Sequence, residues 1–179
     1  MIDPITFTLW RGRLGFLFLA ALLIFFALLP LDRDAGRWPG PDILLCLVLA
    51  WMMRRPDFLP LSLLAITLLM ADILLMRPPG LMAALIVIAA EVIRARSVLM
   101  RELSFPMELA LVAGLMLAIL LAYKFVLAIT LLPQVGLGAA LIQWIWSVIA
   151  YPGVVLVTSF VLGLRKPSLG EFDAYGRRF

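Results

Sequence analysis

Five ionisable side chains stand inside otherwise apolar runs: Asp42, Asp72, Glu91, Glu108 and Lys124. In a bilayer such a group costs about 2.5–3.5 kcal/mol at mid-depth on insertion scales, so each is a functional candidate by default. Position accounts for three of them. Asp42 follows Gly40-Pro41, where a helix starts and its dipole favours a carboxylate. Glu108 stands two residues after Pro106 and reads the same way, as a helix-end charge. Glu91 precedes Arg94 at i,i+3 and can pair with it. Asp72 has no such excuse. Apolar residues flank it on both sides, far from any helix start on its own segment, so a partner must hydrogen-bond or neutralise it. Lys124, after Tyr123, is the one unassigned cation at a similar depth. Asp72 is then either a structural polar contact or a contact for a partner or ligand. Lys124 either meets it or snorkels to the interface.

Much other chemistry is excluded. The chain has no histidine and one cysteine, Cys46. Internal disulfides, His/Cys metal sites and Ser-His-Asp or Cys-His catalysis are therefore ruled out. The net charge of +4 comes from basic residues scattered singly and in pairs, which gives no nucleic-acid surface. No cofactor is expected.

The elements that must hold these residues are membrane helices. Of 179 residues, 65% are hydrophobic and 15% charged, against about half and a quarter in soluble domains. A spanning helix needs about 20 apolar residues. Six candidates read at 14–31, 42–53, 58–76, 80–93, 107–133 and 139–164, followed by a polar tail at 165–179. They make one all-α transmembrane domain. The second and fourth are short and borrow length from flanking arginines, a re-entrant second segment being the alternative. The first follows Arg11 and Arg13 like a signal peptide, but it is long and no small-x-small site follows, so it is expected to stay as a helix. Arg54-Arg55-Pro56-Asp57 and Arg77-Pro78-Pro79-Gly80 read as tight turns, the former predicting a hairpin of the second and third helices.

Orientation follows from the arginines. With the N-terminus inside, Arg11, Arg13, Arg54, Arg55, Arg94, Arg96, Arg101, Arg165, Lys166, Arg177 and Arg178 all fall on the cytoplasmic side. Only Arg33, Arg37 and Arg77 fall outside, so the positive-inside rule places both termini in the cytoplasm. Two packing features stand out. Ala110, Gly114, Ala118 and Ala122 form a small-residue stripe at four-residue spacing, suited to close helix approach within the chain or between subunits. Trp144 and Trp146 suit an outer-leaflet belt, and Tyr151-Pro152-Gly153 predicts a kink.

Several stretches resemble one family. Pro41-Asp42-Ile43-Leu44-Leu45, Ala50-Trp51-Met52-Met53-Arg54-Arg55-Pro56-Asp57 and Ala71-Asp72-Ile73-Leu74-Leu75, followed by Arg77-Pro78-Pro79-Gly80-Leu81, look like the rod shape-determining MreD family, in its alphaproteobacterial form. The motif match covers mainly residues 41–96. The resemblance implies a non-enzymatic, multi-pass subunit of the bacterial inner membrane that serves cell elongation and lateral peptidoglycan synthesis. It implies a bitopic MreC-like partner and, through it, MreB, RodA and a class B penicillin-binding protein, all in contact with membrane lipids. It also implies a compact six-helix bundle similar to the substrate-binding components of energy-coupling-factor vitamin transporters. No catalytic residue transfers. Asp42, Arg54, Arg55, Asp57 and Asp72 carry over only as structural or partner-contact candidates. Two other readings stand beside this scaffold: a substrate-binding component of a vitamin-type transporter, which needs a polar-lined cavity, and an intramembrane enzyme, for which Asp72 alone is a thin basis.

Overall fold

The computed structural model describes residues 4–29, 40–97, 103–133 and 135–162. The loop around Arg33 and Arg37, Arg101, Gln134 and the tail from Arg165 lie outside the described residues. Within them the chain is all-helical and has no strand. Among the described residues the α-helices are α1 (Pro4–Leu28), α2 (Ile43–Arg54), α3 (Leu61–Leu74), α4 (Leu81–Ala95), α5 (Phe105–Ile129) and α6 (Leu137–Leu162), with a 3-10 turn, Pro56–Phe58, between α2 and α3.

Three stretches are long and apolar enough to cross a membrane: Leu9–Leu28, Phe105–Ile129 and Leu137–Phe160. The other three helices are 12, 14 and 15 residues long. At 1.5 Å per residue they reach only about 18 to 22 Å, short of a hydrocarbon core of about 30 Å. The third helix is shorter than its apolar run, and the reason is local. Pro56 opens the 3-10 turn and Pro60 precedes α3. At the far end Met76 takes a positive φ of 55°, which closes the helix before Arg77.

α2 is the centre of the molecule. Every residue from Leu45 to Met53 is buried, which is what a helix apolar on all faces requires. α6, α4 and α1 pack around it. The expected close hairpin of α2 and α3 does not form; α1 lies against both, and α3 packs chiefly on α4. Phe16 of α1 meets the Trp51 ring edge-on at 5.5 Å, fixing α1 on the central helix. α5 closes the bundle against α4 and α6. The Trp144 Nε1–H donates to the Ala113 carbonyl at 3.0 Å and pins α6 to α5. α6 runs on through Pro152 without interruption.

Candidate functional site

The buried polar groups collect at the two ends of α2. At its N-terminus, Asp42 caps the helix by accepting the Leu45 N–H at 3.1 Å, as its place after Pro41 predicts. Its own N–H donates to Ser147 Oγ of α6 at 2.8 Å, and Ser147 Oγ donates to the Gln143 carbonyl. Cys46 Sγ donates to the Ser147 carbonyl at 3.3 Å. Arg77, from the α3–α4 turn, lies 3.5 Å from the second Asp42 oxygen. Asp42 thus joins α2 and that turn through its carboxylate and α6 through its backbone N–H.

Asp72 is 2% exposed and does not meet Lys124. Its Oδ2 accepts the N–H groups of Gly80 at 3.1 Å and Ala83 at 3.0 Å. The dipole of its own helix opposes the charge, but the turn folds back and delivers the carboxylate to the positive N-terminus of α4. The turn depends on Gly80, whose φ of 83° is left-handed and costs other residues strain. Lys124 instead donates to the Val135 carbonyl in the loop after α5.

The other end of α2 holds what sequence reading missed. Glu108 stands at the start of α5 as expected, but it is only 1% exposed. Arg54 Nη2 lies 3.6 Å from its Oε1, and the Tyr151 hydroxyl donates to the same oxygen at 2.9 Å. Its place in the first turn of α5 adds the dipole of that helix. The missed signal was Tyr151, a phenol in an apolar helix, which needs a hydrogen-bond partner when buried. Close by, Arg55 stacks its guanidinium on Phe58, 5.9 Å from the ring centre, and Asp57 sits half-buried in the 3-10 turn. Glu91 and Arg94 pair at 2.6 Å as their spacing predicts, and Arg94 also donates to the Leu59 carbonyl.

The small-residue stripe faces outward. Ala110, Gly114 and Ala118 are exposed and Ala122 is half-buried. A Cβ on Gly114 would meet nothing within 4 Å, so at this position the stripe packs on none of the described residues.

Compared with protein-family models, with curated proteins and with solved structures, the chain matches none. The reading of the site therefore rests on its own geometry. Among the described residues, no three His, Cys, Asp or Glu side chains gather as a metal site. Asp42, Asp72 and Glu108 are each engaged in holding helices together. A cavity of about 320 Å³ opens among α2, α4, α5 and α6, with Asp42, Arg77, Lys124 and Gln143 among its lining.

Proposed function

We propose that this chain is a non-enzymatic scaffold subunit of the bacterial elongation machinery, embedded in the inner membrane. In this reading it holds a bitopic MreC-like partner, and through it MreB, RodA and a class B penicillin-binding protein. All six helices cross, with both termini in the cytoplasm and a bundle resembling the vitamin-transporter components. The three short helices reach the interfaces through flanking Arg54, Arg55, Arg77, Arg94 and Arg96, which snorkel while the bilayer thins locally.

The observation that carries the reading is the outward stripe on α5. A lipid-embedded helix gains nothing from Ala and Gly against acyl chains, but a second helix can approach such a face closely. The stretches at residues 41–57 and 71–81 that resemble the MreD family add to it. Asp42, Arg54 and Asp72 act inside the bundle as locks, which suits a rigid contact partner.

The test is co-purification of bitopic membrane partners in mild detergent. Gly114→Leu should cut partner recovery several-fold, whereas Ile149→Ala, on an exposed part of α6, should not. Equal recovery with both variants would remove the stripe from the interface. The transporter reading has the cavity in its favour. Solute uptake in proteoliposomes with an energising module, with no elongation partner recovered, would decide for it.

A further inference from the structure

The cavity has a mostly apolar wall with a few polar groups: Arg77 of the α3–α4 turn, Lys124 and Gln143, and the linked Asp42 and Ser147. Met116, Ile119 and Leu120 line it further along α5. Along that helix Met116 lies about 12 Å from Lys124, so polarity changes along the helix axis. A membrane-spanning bundle aligns that axis with the bilayer normal.

The charges in the cavity do not cancel. Arg77 faces Asp42 at 3.5 Å, but Lys124 has only the Val135 carbonyl and no acidic partner among the described residues. An ammonium has three donors, so two are left for a ligand. The Gln143 side chain likewise makes no hydrogen bond among the described residues, which leaves an amide facing the same space. A volume of about 320 Å³ is at the low end for a small-molecule site and admits a head group with part of one chain.

The geometry points to a site for an anionic membrane lipid, its phosphate head on Lys124 and Arg77 and one acyl chain along Met116, Ile119 and Leu120. A free anion would leave the apolar wall unused. A neutral or zwitterionic lipid would leave the excess positive charge unanswered. This assignment does not rest on the scaffold reading; it stands whatever partner the chain has.

Native mass spectrometry of the full chain, released from mild detergent, tests it. The probes are phosphatidylglycerol and phosphatidylcholine with matched chains, in equal amounts, and inorganic phosphate alone. The expected result is preferential retention of one phosphatidylglycerol, reduced about tenfold by Lys124→Gln, the order expected for losing a charge-assisted hydrogen bond. Leu120→Phe leaves both cations in place but fills the wall, and should reduce retention as well. Because Leu120 is partly exposed, this second variant is expected to fold. Equal retention of the two lipids, equal occupancy by inorganic phosphate, or unchanged retention in both variants would each overturn the assignment.

Discussion

Removing the Glu108 carboxylate should destabilise the bundle more than removing the whole ion pair. Glu108→Met leaves Arg54, which is 13% exposed at its side chain, facing a pocket that no longer holds an anion, and leaves the Tyr151 hydroxyl without its acceptor. Breaking a buried pair on one side costs about 3–5 kcal/mol, while exchanging both partners for apolar residues is often close to neutral. Arg54 is not wholly buried and Glu108 keeps the α5 dipole, so the lower end applies: about 3 kcal/mol for each single variant. The double variant Arg54→Met/Glu108→Met should cost less than either single variant, which means more than about 3 kcal/mol less than the sum of the two. Tyr151→Phe removes one hydrogen bond to a charged acceptor, about 1.5–3 kcal/mol.

Thermal unfolding in detergent, followed by tryptophan fluorescence, reads these differences. A chain of this size shifts by about 2–4 °C per kcal/mol, so each single variant should melt about 6–12 °C lower. The double variant should recover a large part of that. Strict additivity of the two single effects would refute the coupling and reduce Glu108 to a residue that merely fills space at the start of α5.

Three further outcomes follow from the geometry. Asp72→Leu strips the acceptor from two amides at the start of α4 and should cost about 1–3 kcal/mol, whereas Asp72→Asn keeps an oxygen and should be milder; equal melting of both variants would contradict the cap. Gly12→Ala places a methyl group into the Phe58 ring, where α1 meets the 3-10 turn, and should destabilise by about 1–3 kcal/mol; Phe58→Leu should relieve part of that loss, and no relief would mean the clash is not the cause. Cys46 is fully buried and gives little background for thiol labelling, so single cysteines at Asp34 and Gln134 should label from outside and one at Ser168 should not; external labelling at Ser168 would refute the orientation.

Hydropathy made the six helical segments legible, and most of their ends fall within three residues of the expected ones. What it could not show was which segments are long enough to cross unaided, because prolines and a left-handed Met76 trim α3 inside a longer apolar run. Local charge signals were also legible: the Asp42 cap and the Glu91–Arg94 pair depend on residues three apart. Glu108 was legible as a first-turn charge of α5, but its burial was not, because its partners lie 54 residues before and 43 after it and only the packing of α2, α5 and α6 brings them together. Asp72 was read against its own helix alone. The decisive clue was eight residues on, where Gly80 both turns the chain and starts a new helix whose amides face back. The sequence leaves open whether Lys124 meets Asp72 or snorkels, since depth does not fix which face of α5 a side chain leaves from; it donates to the Val135 carbonyl.

The placement of charge also bears on how the protein can be recognised. α2 is too short to cross alone and is tied at each end by an acidic group: Asp42 to Arg77 and Ser147, and Glu108 to Arg54 and Tyr151. Asp72 is spent on α4 and the partly exposed Glu91 is paired with Arg94, so no carboxylate lies on the outward face of α5 among the described residues. A partner helix in the bilayer therefore meets a surface of apolar side chains and small residues, where fit depends on shape. Such an interface should tolerate exchange among small residues and fail on added bulk, so Gly114→Ala should keep partner recovery where Gly114→Leu loses it. An interface built on charge would behave the other way, indifferent to a methyl group or a leucine and lost with one carboxylate. Partner recovery that survives Gly114→Leu but falls with Asp57→Asn, at the end of the bundle near Arg55, would move the contact from α5 to that turn.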